Sequence, residues 1–269
     1  MTQAQRRLFL IQSLLKERPE YRDLGIPTDT NGQRQLLRGL MNVRAPQRAD
    51  AEFLKVQDEY LRAETAAKGV TDIADLTPIR PGLYLWQGDI TTLRCDAIVN
   101  AANSGMTGCY IPNHRCIDNA IHTFAGVELR LACAELMEKQ GHPKPTGRAK
   151  ITPAFDLPCR YVLHTVGPII QGRVTPRDRE RLSSCYRSCL ELAAGNGLES
   201  VAFCCISTGE FHFPNEQAAQ IAVETVGLFM NGKTSVKKVI FNVFKDKDRE
   251  IYERLLTADH AADSSPAGM

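Results

Sequence analysis

Along residues 1–77 apolar positions recur with helical spacing. Leu8, Ile11 and Leu15 follow an i, i+3, i+7 step, and Phe53, Val56 and Tyr60 repeat it. Thr30 followed by Gln33, ahead of Leu36-Leu37 and Leu40-Met41, predicts a capping box that opens a helix. No strand-like run interrupts the segment, which reads as a small helical extension packed on something larger. From Ile79 the pattern changes. Short β-prone runs at Leu83–Trp86, Ala97–Val99, Ala149–Thr152, Tyr161–Val166, Val201–Ile206 and Val239–Val243 alternate with helical stretches at Cys116–Phe124, Val127–Lys139, Arg179–Ala194 and Glu216–Met230. Such alternation predicts an α/β layer structure with a mainly parallel sheet. Runs as continuously apolar as Val201–Ile206 fit strands covered on both faces.

Composition narrows the function classes. With 43% hydrophobic and 24% charged residues among 269, the chain is an ordinary globular one, not a disordered or fibrous one. Its longest apolar runs, such as Leu8–Ile11, are too short to span a bilayer, and the N-terminus carries no signal-peptide pattern. A soluble cytoplasmic protein without a membrane partner is therefore expected. The 33 basic and 31 acidic side chains leave a net charge of only +2, which argues against a general nucleic-acid binder. An anionic small molecule stays open as a partner, because backbone amides and helix N-termini bind anions without net charge. Nine irregularly spaced cysteines, an odd number without secretory context, do not read as a disulfide framework. Most are expected to be buried small hydrophobes.

Ligands of open α/β sheets gather at the carboxyl ends of the strands. Three such ends carry unusual residues. Gln87-Gly88-Asp89-Ile90 offers a sharp turn and a carboxylate, either for a ligand amine or for capping its own backbone. Asn100-Ala101-Ala102-Asn103-Ser104-Gly105 sets two amides around small residues, suiting either a sugar diol or the turn itself. Ile206-Ser207-Thr208-Gly209-Glu210-Phe211 links a strand to a helix through small residues, as a phosphate cradle does, without a P-loop lysine. A fourth segment, Cys109-Tyr110-Ile111-Pro112-Asn113-His114-Arg115-Cys116, puts two thiols and an imidazole within eight residues. These donors suit zinc, and three ligands leave the open position of a catalytic site. His122 or Cys133 would close it into a structural site, and the spacing equally admits two buried cysteines and a surface histidine. Nothing in residues 1–77 suggests chemistry.

In order and spacing, Gln87–Ile90, Asn100–Asn103, the helix Ile117–Gly126, the strand Tyr161–Val166 ending in Gly167-Pro168, and Ser207-Thr208-Gly209 resemble the macrodomain family. The resemblance covers about residues 78–256. It implies a three-layer α/β/α macrodomain at 78–257 with a mainly parallel, mixed central sheet, an N-terminal helical extension at 1–77 and a disordered tail at 258–269. It also implies an ADP-ribose pocket and hydrolase activity toward ADP-ribosyl groups on proteins. By position, Asp89 would bind the adenine amine with Ile90 beside it, and Asn103 would hold the distal ribose and count with Asp118 as a catalytic residue. The amides of Ser207, Thr208, Gly209, Glu210 and Phe211 would wrap the pyrophosphate, and Phe244 would lie against the adenine. Asp118 matches the family's catalytic aspartate, which would orient or deprotonate water; a capping role at the helix N-terminus is the competing reading.

Where ordinary hydrolytic members carry a glycine run, this chain has Gly108 through Cys116. That arrangement resembles the zinc-containing microbial subgroup, whose members also carry an N-terminal helical extension. It implies Zn2+ held by Cys109, His114 and Cys116 beside the distal ribose, leaving Cys95, Cys133, Cys159, Cys185, Cys189, Cys204 and Cys205 to packing. The expected function is zinc-dependent removal of mono-ADP-ribose from modified protein side chains, with a carboxylate-ester linkage favoured. The alternatives are a non-catalytic reader of ADP-ribosylated proteins and an O-acyl-ADP-ribose deacylase.

Overall fold

A computed structural model describes residues 1–258 except Arg22. Its centre is a six-stranded sheet built from β2 (Leu83–Gln87), β4 (Ala97–Ala101), β5 (Ala149–Pro153), β6 (Tyr161–Thr165), β7 (Ser200–Phe203) and β8 (Lys238–Val243), in the order β2-β8-β7-β4-β6-β5. All neighbours run parallel except the edge pair β5 and β6. Helices α4 (Ile117–Phe124) and α5 (Val127–Gln140) cover one face, and α6 (Pro176–Gly195), α7 (Asn215–Met230) and α8 (Asp246–Ala258) cover the other. Alternation along the sheet sorts the two: the side chain of His164 in β6 reaches Cys133 of α5, while that of the next residue, Thr165, meets Cys185 of α6. The three-layer α/β/α architecture that the resemblance implies is thus present. None of the described helices is long and apolar enough to cross a membrane.

Four local readings need correction. The cap of α2 (Thr30–Val43) is Asp29, whose carboxylate accepts from the Gly32 amide, and not Thr30. The N-terminal segment contains a two-residue strand, β1 (Thr71–Asp72), parallel to β3 (Leu93–Arg94). Strand β7 ends at Phe203, where its pairing with β8 stops and the chain turns out of the sheet toward the Ser207 loop. Helix α8 was not foreseen, and it takes in Ala258; the rest of the expected disordered tail lies outside the described residues.

The extension has its own core. Helix α1 (Gln3–Lys16), α2 and α3 (Ala51–Lys68) bury Leu10, Ile11, Leu14, Leu37, Leu40, Phe53, Val56 and Tyr60, and this cluster takes in Val127 from α5. The junction is also polar. Helix α5 starts at Gly126, which has no side chain to cap it, and the buried Gln57 of α3 accepts the Val127 amide at 2.9 Å instead. Gly126 has φ +87°, and a Cβ there would run into Gln57, so its glycine is required twice over.

Beside that cap Asp156 is buried against α3, with Arg62 Nε at 3.0 Å from its Oδ1. Burial and then the like charge of Asp58 push its carboxyl from 3.8 up to about 7, against the pull of Arg62; Glu128 adds to the push. The folded state therefore favours the protonated acid. Its contribution is full below about pH 4 and is lost as pH rises through about 7. Unfolding followed from about pH 5 to about pH 8 should show Asp156→Asn gaining about 1–2 kcal/mol on the natural chain. A gap independent of pH would contradict the assignment.

Candidate active site

Parallel pairing delivers the carboxyl ends of β2, β4 and β7 to one edge, so the three loops singled out above meet there. At the β2 end Asp89 caps the turn Ile90–Thr92: its Oδ1 accepts from the Thr91 amide at 3.0 Å and hydroxyl at 2.6 Å. Its Oδ2 pairs with Lys68 Nζ at 3.1 Å. Burial, which opposes ionisation, is outweighed by the Thr91 hydrogen bonds and the Lys68 charge, so Asp89 stays below the usual carboxylate range. Ile90 turns its side chain into the core. Phe244, directly after β8, is 75% exposed at this same edge, next to the Gly88 amide that bonds the Val243 carbonyl.

The β7 end is a nest of amides. Thr208, His212 and Phe213 donate their amides to Cys205, Gly209 and Ser207 carbonyls, closing the turn on itself. Among the described residues, the amides of Ser207, Gly209, Glu210 and Phe211 have no protein acceptor. Of the expected five, Thr208 alone also donates within the turn, to the Cys205 carbonyl at 3.4 Å. Ser207 holds φ +65°. The loop sits on Gly167, where a Cβ would collide with the Ser207 hydroxyl and press on Ile206.

Between these ends lies a buried polar chain. Asp118, in the first turn of α4, accepts from Asn100 Nδ2 at 2.8 Å through Oδ1 and from Asn103 Nδ2 at 3.2 Å through Oδ2. Asn103 also donates to the Gly108 carbonyl and accepts from the Gly105 amide. Burial raises the Asp118 carboxyl to about 6, against the Asn100 hydrogen bond, the Arg130 charge and the Asn103 hydrogen bond. Asn103 therefore satisfies its turn and holds the carboxylate at once, whereas Asn100 spends its Nδ2 on Asp118 and His164 and makes no bond to the turn.

Cys109, His114 and Cys116 come together with their donor atoms all within 4.8 Å, and Cys109 Sγ lies 3.6 Å from His114 Nδ1. His114 Nε2 is 3.7 Å from Glu210 Oε1, joining this loop to the amide nest. His122 and Cys133 are not part of the group. They cluster with His164 in the core, in a second set of potential ligands. Asn100 Nδ2 can only donate, so His164 Nδ1 accepts from it at 3.2 Å, and His164 Nε2 then carries the hydrogen that reaches Thr152 Oγ1 at 2.9 Å. Both nitrogens of His164 are engaged, and the cluster reads as a hydrogen-bonded brace behind Asp118. Burial holds His122 neutral, with Nε2 3.6 Å from Asp118 Oδ1.

The extension reaches this site at three points that sequence reasoning missed: Lys68 on Asp89, and Arg38 and Asn42 on the Cys109–Cys116 loop. Lys68 Nζ also lies 3.3 Å from the Phe124 ring centroid. Asn100 and Asn119 were within the motifs, without the roles their geometry gives them.

Residues 99–222 match the Macro domain family. A protein-ADP-ribose hydrolase of Treponema medium is 57% identical over 261 residues, which is 96% of this chain and 100% of that relative. The chain belongs to the macrodomain family. A second relative of this macrodomain, a protein-ADP-ribose hydrolase of Staphylococcus aureus (strain MSSA476), is 47% identical across 93% of this chain and 95% of its own. Among solved structures, the Trypanosoma brucei macrodomain in complex with ADP-ribose superposes with a TM-score of 0.63 at 30% identity, covering 81% of this chain and 94% of that one.

The amide nest suits a phosphate anion, and its shape depends on the missing side chain at Gly167. Gly167→Ala should weaken calorimetric binding of ADP at least about tenfold, or roughly 1.4 kcal/mol. Unchanged affinity would remove the loop from the binding site.

Proposed function

We propose that this macrodomain is a zinc-dependent protein-ADP-ribose hydrolase that removes single ADP-ribose units from carboxylate side chains. The observation that carries the reading is the Cys109, His114 and Cys116 group on the loop that leads directly into the helix bearing Asp118, at the sheet edge that also holds the amide nest. Two thiols and an imidazole are a zinc donor set, and the 3.6 Å between Cys109 Sγ and His114 Nδ1 fits it. Tetrahedral zinc with S and N ligands at about 2.3 and 2.0 Å puts those atoms about 3.5 Å apart. A bound ion there would supply a Lewis acid to a ribose or ester oxygen. Nine unpaired cysteines suit the reducing cytoplasm.

The chain's own residues do the rest. Asp89 takes the adenine amine on the lone pairs that Thr91 and Lys68 leave, with Phe244 over the ring. The amides of Ser207, Gly209, Glu210 and Phe211 hold the pyrophosphate. The distal ribose then lies toward Asn103, whose Oδ1 has a second lone pair for a hydroxyl. Asp118, fixed by Asn100 and Asn103, orients a water against the anomeric carbon and accepts its proton as the new C–O bond forms. The bond from that carbon to the acceptor oxygen breaks, giving ADP-ribose and a free carboxylate. A carboxylate leaves as a stable anion and asks no general acid of the site, which favours an ester acceptor.

Cys109→Ala, His114→Ala and Cys116→Ala should each lower release of ADP-ribose from a glutamate-modified protein at least about 100-fold, while ADP binding changes little. Full turnover after thorough metal removal would overturn the zinc role. Binding of ADP-ribose without turnover in zinc-loaded protein would make the domain a reader.

A further inference from the structure

The Cys109–Cys116 loop has almost no interior of its own. Its one internal backbone hydrogen bond joins the His114 amide to the Ile111 carbonyl at 3.2 Å, and Asn113 sits at φ +56°. Holding such a segment in one shape costs about 1–2 kcal/mol of backbone entropy per residue, so other parts of the chain must supply the constraint. Asn119 of α4 supplies part of it. Its amide donates to Cys116 Sγ at 3.4 Å, and its Nδ2 donates to the Ile111 carbonyl at 3.0 Å. The remainder comes from the extension.

Arg38 of α2 spreads its guanidinium over both structures: Nη2 donates to the His114 carbonyl at 3.0 Å and to Asn119 Oδ1 at 2.8 Å, and Nε adds a 3.2 Å bond to the same oxygen. One turn further along, Asn42 is buried. It accepts the Asn113 amide at 2.9 Å and donates to Thr123 Oγ1 at 2.9 Å, and that hydroxyl in turn donates to the Asn119 carbonyl. Gly39 lies between them and faces Asn113 and Pro112, with room for a side-chain carbon at ordinary contact distance. A Cβ there would meet Asn113 Nδ2 at 3.4 Å and Pro112 Cβ at 3.7 Å. Arg130 closes the far side, donating to the Asn42 and Arg44 carbonyls and standing 4.2 Å over the Tyr110 ring. Apart from the 3.7 Å approach of Glu210 to His114, the anchors of residues 110–114 outside α4 lead back to α2, directly through Arg38 and Asn42 and indirectly through Arg130.

We propose that helix α2 of the N-terminal extension is the clamp that holds the Cys109–Cys116 loop in its ligating shape, with Arg38 and Asn42 as positioning residues. The clamp's purpose, though not its existence, rests on the zinc reading above. On this account the extension is a component of the site and the loop is pre-organised before a metal arrives. Outer contacts of this kind change metal affinity by about 10–100-fold when removed.

The test uses the whole chain, natural and as Arg38→Met, Asn42→Ala and Arg38→Lys, with Arg34→Met as control, an exposed residue one turn before Arg38 that pairs with Glu64 of α3 and does not touch the loop. Hydrogen exchange of the Asn113 and His114 amides in metal-free protein reads the loop, exchange in α6 reads the global fold, and a chelator competition with Zn2+ reads affinity. In the natural chain these two amides should be protected. Arg38→Met and Asn42→Ala should speed their exchange at least about tenfold with α6 unaffected, and weaken zinc at least about tenfold. Arg38→Lys, which keeps the charge and can reach one acceptor, should recover part of both, and Arg34→Met should match the natural chain. Unprotected Asn113 and His114 amides in the natural chain would overturn the clamp, whether or not any variant folds. So would unchanged exchange in folded Arg38→Met and Asn42→Ala. A natural chain that binds no zinc but shows these exchange effects would overturn the metal reading and leave the clamp standing.

Discussion

Parallel strand pairing is the constraint on which the rest depends. Because β2, β8, β7, β4 and β6 all point the same way, their carboxyl ends share one edge, and every turn leaving that edge faces the same space. Asp89, Asn103 and Ser207 are far apart in the chain and follow strands that end at one edge of the sheet for this reason. The helices that follow the turns add their N-termini to the same edge; Asp118 sits in the first turn of α4, and the amide nest precedes α7. Such an edge is rich in amide donors, so an anion can be held by a chain whose net charge is only +2.

The second organising feature is the polar seam between extension and macrodomain. Its members are few and each performs a task the other side cannot. Gln57 caps a helix that begins in glycine, Lys68 neutralises Asp89, and Arg38 and Asn42 tie down a loop that has no core. Val127 joins the apolar cores across the same boundary. An exposed loop carrying three donor atoms is thereby given the rigidity of a helix-borne site.

Much of this was readable from residues alone where the signal is local. Strand and helix alternation gave the α/β layering, and small residues at strand ends marked the loops that meet at one edge, because both follow from spacing within a few positions. The expectation that most cysteines pack as small hydrophobes also holds: Cys95, Cys133, Cys159, Cys185, Cys189 and Cys204 are buried, and Cys205 is partly so. What escaped depends on contacts between distant segments. Arg38 and Asn42 look like ordinary polar positions of an amphipathic helix until α4 is placed beside them. His122 and Cys133 look like spare ligands until β6 brings His164 against them. Thr30 and Asp29 compete for one cap, and the acidic side chain one step earlier takes it. Helix α8 is too charged to show a clear apolar stripe, although Ile251, Tyr252 and Leu256 are buried.

The central claim is that one specific group of side chains holds the metal. Anomalous diffraction across the zinc edge, on crystals of the natural protein grown without added metal, tests it most directly. The account predicts a single strong peak bonded to Cys109, His114 and Cys116, with no peak among His122, Cys133 and His164. A peak in the buried cluster, or none at either group in protein that turns over substrate, would contradict it.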